Sequence, residues 1–158
     1  MDSHIDIQHV SADPIPVSDE TLTQWVKFAL KSHENVAELS LRLVDAHEMT
    51  QLNHLYRQQN KATNVLSFPA HIPSGIKLEY PLLGDIVICP SVLEKESKTL
   101  DKPLAAHWAH IVIHGVLHLL GYDHIADADA QMMQNLETKL LLELGFEDPY
   151  LTEEDNVE

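Results

Sequence analysis

The sequence predicts an α+β fold in one compact domain. Four short segments read as strands, by alternation or by an apolar run, and longer stretches of helical period lie between and after them. No repeat, low-complexity tract or interior linker divides the 158 residues. At 44% hydrophobic, a chain of this length is one domain's worth and can bury a proper core. The domain is expected to occupy residues 1–150, with 151–158 as an acidic, flexible tail.

The elements follow in order. Ile5 to Val10 alternates like a strand, and Ser18 with Asp19 and Glu20 opens a helix whose Leu22, Trp25, Val26, Ala29 and Leu30 share one face. Leu39 to Val44 alternates again. Asp45 and Glu48 then stand as N-cap and N3 of a second helix, expected to carry Met49, Leu52 and Leu55 inward and to end near Gln58, with Arg57 in its last turn. Val65 to Pro69 is strand-like, and the segment from Ala70 to Tyr80, with Pro73 and Pro81 at hand, reads as a loop or hairpin connection. Asp85 to Cys89 is the next strand, and a helix starts near Pro90. Leu104 to Leu120 is apolar nearly all round, as a buried helix is, and Pro103 suits its first turn. The final helix, from about Asp127 to Leu144, is expected to bury Met133, Leu136, Leu140 and Leu144, with Gly145 capping it.

The chemistry is concentrated in the run His114-Gly-Val-Leu-His118-Leu-Leu-Gly121-Tyr-Asp-His124. Residues four apart on a helix share a face, roughly 5 to 6 Å apart at Cβ, so His114 and His118 can converge on one ion. His110 is eight residues from His118, about 12 Å of rise, and is badly placed to share that ion. Gly121 can end the helix in a left-handed conformation and turn the chain so that His124 approaches the pair. Three neutral imidazoles leave the fourth position of a zinc ion open, the arrangement of a catalytic site. His107 and His110 lie on the same helix, and structural or supporting roles are expected of them.

The spacing HxxxHxxGxxH is also that of metzincin proteases, but Gly115 stands where those enzymes carry the glutamate that serves as general base. Glycine can neither take nor give a proton, which disfavours the usual zinc-peptidase route. The run HGVLHLLGYDH resembles instead the defining motif of the YbeY family, bacterial metal-dependent endoribonucleases and rRNA maturation factors. Leu55-Tyr56-Arg57 leading through Thr63-Asn64-Val65-Leu66-Ser67-Phe68-Pro69 resembles that family's YR…T(D/N)VLSFP block, and Leu83-Gly84-Asp85-Ile86-Val87-Ile88 its LGDIVI strand. The three blocks stand in the same order and cover most of the chain from about Asp45 to Tyr150.

The resemblance implies a small mixed sheet of about four strands flanked by helices, with the metal in a cleft beside the sheet, at the end of a central buried helix. Residues 1–150 would then form a single metal-dependent hydrolase domain. It implies one Zn2+ on His114, His118 and His124, although other divalent transition metals also accept imidazole. It further implies catalytic roles for Arg57 and His114: zinc-activated water would attack a phosphodiester that the planar guanidinium fork of Arg57 positions. Alternatively, the activated hydroxide would deprotonate the RNA 2′-hydroxyl. Asp123 is a candidate to orient an imidazole or to cap the turn after Gly121. Asp85 is a candidate supporting carboxylate, or simply a strand-opening hydrogen-bond acceptor. Thr63, Asn64 and Ser67 are candidates for polar contacts at the sheet edge.

The implied activity is single-strand-specific RNA cleavage in rRNA processing, namely 16S rRNA 3′-end maturation, with roles in ribosome biogenesis or quality control. The implied partners are single-stranded RNA, rRNA, and the small ribosomal subunit or its assembly factors. Two other classes stay open at this point: a zinc peptidase with an unrecognised base, and a non-catalytic, zinc-stabilised assembly factor. The formal net charge of −15, from only 10 Lys and Arg against 25 Asp and Glu, argues for weak unaided affinity for RNA. A local basic cleft around Arg57 and Lys61, or delivery by a partner, would offset it. Cys89 is the only cysteine, and its apolar strand makes it a core residue. That count, an N-terminus without signal-peptide character and the lack of a convincing membrane span lead to the expectation of a cytoplasmic protein.

Overall fold

The computed structural model describes residues 3–33, 36–70, 75, 82–122 and 126–150. Among these residues four strands and five helices follow one another as β1 (His4–His9), α1 (Asp19–Lys31), β2 (Glu38–Leu43), α2 (Ala46–Arg57), β3 (Val65–Pro69), β4 (Leu82–Ile88), α3 (Pro90–Leu100), α4 (Leu104–Leu119) and α5 (Asp127–Glu143). The strands form one mixed sheet in the order β1-β2-β4-β3, in which β3 alone runs antiparallel to its neighbour. This is the α+β architecture that the sequence predicts.

The helices start where their capping residues sit. Ser18 Oγ accepts from the Thr21 amide, and an Asp45 carboxylate oxygen accepts from the Glu48 amide at 2.9 Å, each satisfying a donor that the first turn leaves orphaned. The α1 face is the predicted one, with Leu22, Trp25, Val26, Ala29 and Leu30 buried. The α2 face is corrected in part. Met49 is buried, but Leu55 is 66% exposed and Asn53 takes an inward position, its amide donating to the Lys61 carbonyl at 2.8 Å. Met49 and Leu52 join the apolar cluster on that side of the sheet, whereas Leu55, a turn further on, is not part of it. On α5, Met133 and Leu140 are buried as predicted, with Leu136 and Leu144 half-buried against the core; Glu137 and Leu141 are the other buried residues.

The sheet separates two apolar layers. On one face, α1, α4 and α5 pack with Leu39, Leu41, Leu43, Ile86 and Ile88 around the buried Trp108. On the other, α2 lays Met49 over Val44, Leu66, Val87 and Cys89, so the lone cysteine is indeed core. Residues alternate faces along a strand. In β4, Ile86 therefore turns toward α4 while Asp85 and Val87 turn toward the α2 side.

Two glycines fix close approaches. Gly84 has φ +138°, and a Cβ there would stand 2.1 Å from the Phe68 carbonyl oxygen, which locks β4 to β3 just before Asp85. Gly115 is helical and buried, and a Cβ on it would meet Ile86 Cγ2 at 2.9 Å. The central helix thus sits directly on β4. The segment at 70–80, expected to be a loop or hairpin connection, lies outside the described residues apart from Ala70 and Gly75, as does the expected tail at 151–158.

Candidate active site

The stripe His110, His114, His118 runs along one side of α4, each residue half-buried, while Ile111, Val112, Ile113, Gly115, Val116 and Leu117 between them are sunk in the core. The Nε2 atoms of His114 and His118 stand 3.1 Å apart. Two nitrogens bound to one tetrahedral zinc, each at about 2.0 to 2.1 Å, are separated by about 3.3 Å, so the pair has the spacing such an ion requires. The helix then ends as the sequence predicts: Gly121 has φ +105°, and the Tyr122 amide returns to the Leu117 carbonyl at 3.0 Å. Tyr122 also meets His33, just beyond the end of α1, at 2.8 Å, through its hydroxyl and the ring Nε2. His124 and Asp123 lie outside the described residues.

Behind the pair is a residue that the motif does not contain. His114 Nδ1 lies 2.5 Å from Glu137 Oε1, and His110 Nε2 lies 2.8 Å from Glu137 Oε2, which also accepts from the Tyr150 hydroxyl. Glu137 is fully buried. Burial pushes its carboxyl up, but the hydrogen bonds from His110 and His114 outweigh it and hold the pKa down at about 2. The ionised carboxylate takes the Nδ1 proton side of His114 and leaves Nε2 as the basic nitrogen toward His118. Burial and the bond to Glu137 together raise the Tyr150 pKa far above its ordinary value. His110, His114 and Glu137 are also near enough, within 4.8 Å of one another, to share a metal ion. Their contacts are at hydrogen-bond length, and Glu137 is closed off by Tyr150, so the geometry fits a carboxylate bracing a ligand histidine better than a ligand itself. The sequence held one signal of this: Glu137 interrupts the apolar stripe that runs from Met133 through Leu140 to Leu144.

His114 and His118 face a small cavity, about 140 Å³, that Arg57, Thr63, Asn64, Val65 and Ser67 also line. Arg57 is the last residue of α2, exposed at the helix end, where the left-handed Gln58 turns the chain away. Ser67 Oγ donates to the Gly115 carbonyl at 3.1 Å, pinning the β3 edge to α4. Asn64 donates to both oxygens of Glu96, whose Oε1 also meets His107 Nε2 at 3.0 Å. Asp85 stands apart from the histidines, exposed on the α2 side of the sheet, where the Ser40 hydroxyl donates to it. His107 and His110 are each turned to a carboxylate, on α3 and α5 respectively.

The mixed sheet with its flanking helices and the sequence that forms them belong to a class of α+β endoribonucleases. The family model described as endoribonuclease YbeY matches residues 7–145, and the chain belongs to that family. A Legionella pneumophila (strain Corby) endoribonuclease YbeY is 56% identical over 158 residues, the full length of both chains. A Pseudomonas fluorescens relative of the same name is 53% identical over 150 residues, covering 95% of this chain and 97% of its own. The solution structure of TM1509 from Thermotoga maritima matches with a TM-score of 0.62 at 25% identity, over 94% of this chain and 99% of that one. An endoribonuclease acts on RNA, so RNA is the substrate class. No helix among the described residues is long and apolar enough to cross a membrane.

Proposed function

We propose that the chain is a single-strand-specific, metal-dependent endoribonuclease acting in rRNA processing, including 16S rRNA 3′-end maturation and ribosome biogenesis or quality control. The observation that carries this reading is the shared cavity: Arg57 and the paired Nε2 atoms of His114 and His118 line one space of about 140 Å³. That is well below the roughly 300 Å³ at which drug-sized ligand pockets begin, so the space suits a phosphate with the sugar edge next to it and leaves the bases outside.

His114, His118 and His124 would hold one divalent ion, zinc by the donor set, with Asp123 a candidate to orient a ligand ring. A bound zinc ion supplies Lewis acidity and a nucleophile at neutral pH. Arg57 binds the scissile phosphate through its guanidinium fork and offsets the charge that builds in the transition state. Glu137 keeps the His114 ring in one orientation and one tautomer. Gly115 contributes no proton transfer, and its contact with Ile86 gives it a packing role instead. The peptidase reading loses support accordingly, because a glutamate at 115 would point into the sheet.

The acidic surface favours delivery by a partner, with the small ribosomal subunit or its assembly factors as the docking platform in the cytoplasm. The test joins elemental analysis of purified protein with cleavage of single-stranded RNA by wild type, Arg57→Ala and His114→Ala. Stoichiometric metal and loss of cleavage in both variants are expected; metal-free wild type that cuts normally would sink the proposal. A 2′,3′-cyclic phosphate at the product end would exclude direct attack by water. The same charge favours a second reading, a non-catalytic assembly factor. Normal rRNA processing in cells carrying a folded His118→Ala protein would establish it.

A further inference from the structure

We propose that Asn64 recognises the ribose 2′-hydroxyl of the substrate through its side-chain carbonyl, with Glu96 fixing the orientation of the amide. The inference rests on the RNA-cleaving reading of the cavity and names what selects RNA within it.

Asn64 lines the cavity beside Arg57, His114 and His118. Its Nδ2 is 3.2 Å from Glu96 Oε1 and 3.3 Å from Oε2. Burial pushes the Glu96 carboxyl up, but hydrogen bonds from His107 and Asn64 hold its pKa below the ordinary value, so the group is ionised at neutral pH. An ionised carboxylate only accepts hydrogen bonds, and an amide that faces it must therefore turn its NH2 toward it. The carboxylate thus fixes which branch of the amide is nitrogen. The carbonyl Oδ1 lies on the other branch, and no described residue donates to it.

The amide thus offers the cavity an acceptor. A phosphate, with acceptor oxygens only, has no use for one; Arg57 and Thr63, which line the same cavity, carry donors that would suit it. The donor that RNA carries closest to the scissile phosphate is the 2′-hydroxyl of the preceding ribose, and DNA lacks it. A carbonyl held beside the phosphate site matches that hydroxyl and gives a deoxyribose nothing to bind. His107, buried on α4, closes the arrangement from behind by holding Glu96 in place.

The test compares two single-stranded oligonucleotides of one sequence, one ribo and one with fluorine at every 2′ position, which removes the donor and keeps an electronegative substituent. Binding to metal-loaded protein is read by stopped-flow anisotropy before cleavage, with thermal melts as the check on folding. Wild type is expected to prefer the ribo strand by about 3- to 10-fold, the range of a single hydrogen bond. Asn64→Ala should bring that ratio close to one. Glu96→Gln should do the same without changing volume, because a neutral amide no longer dictates which way Asn64 turns. A ratio unchanged in either variant, or a wild type that cuts RNA without preferring the ribo strand, overturns the proposal. Wild type that neither binds nor cuts RNA would instead remove the reading on which it rests.

Discussion

Glu137 meets His114 from inside the protein, with Oε1 2.5 Å from Nδ1, while the opposite edge of the ring faces the cavity. The acid lies on α5 and the histidine on α4, so the docking of two helices sets the direction of one imidazole nitrogen. One of the proposed metal ligands is thereby aimed from behind by a buried acid.

Replacing the acid should therefore weaken metal binding without emptying the site. Glu137→Gln keeps the shape but cannot hold His114 and His110 as a charged acceptor, and metal affinity is expected to fall about 10- to 100-fold. Competition with a chromophoric chelator measures it. An affinity equal to wild type would mean that the carboxylate only fills space.

The same residue predicts an acid limb in the stability of the metal-free protein. The folded pKa of Glu137, about 2, lies below its ordinary value of 4.5, so its contribution is fully present above pH 4.5 and is lost as pH falls toward 2. The difference is on the order of 3 kcal/mol. Denaturant melts of wild type and Glu137→Gln should lie far apart at neutral pH and draw together in that window. A gap independent of pH would contradict the assignment.

Arg57 is exposed at the end of α2, and its loss should spare the fold. Arg57→Ala is expected to shift stability by no more than about 0.5 kcal/mol. If the guanidinium stabilises the transition state, kcat/KM on single-stranded RNA should fall about 10²- to 10³-fold, with Arg57→Lys intermediate. Equal activity in the alanine variant would remove Arg57 from the reaction.

Gly115→Ala sets helix propensity, worth about 1 kcal/mol in alanine's favour, against overpacking, typically about 1 to 3 kcal/mol. The added Cβ would stand 2.9 Å from Ile86 Cγ2 in a buried contact, and the clash should win. Ile86→Ala removes that atom, so the double variant should lose less than the sum of the singles. Strict additivity in urea melts would show that the helix shifts to absorb the methyl group.

How much of this was legible in the sequence varied with the range of the interaction. The His114 and His118 pair is readable because a helical spacing of four places both side chains locally, and Gly121 because a left-handed residue ends a helix wherever it stands. The α1 face was complete from its periodicity. Leu55 was misread because periodicity gives the direction of a side chain but not how far the sheet extends to meet it. Glu137 was missed for a related reason: an acid on an amphipathic helix is ordinarily solvated, and only the docking of α5 on α4, 23 residues from His114, reveals its partners. The pairing of Asn64 with Glu96 is a contact across 32 residues, which no spacing rule encodes.

The seating of α4 on β4 at Gly115 also bears on how the molecule fails. The histidines ride on the helix that carries the largest share of the main core, braced by acids from α3 and α5 and pinned by Ser67 from the sheet edge. Catalytic loops in many enzymes loosen well before the domain does. Among the described residues, His114 and His118 rest on no such loop, so on heating the pair should keep its spacing until tertiary structure is lost.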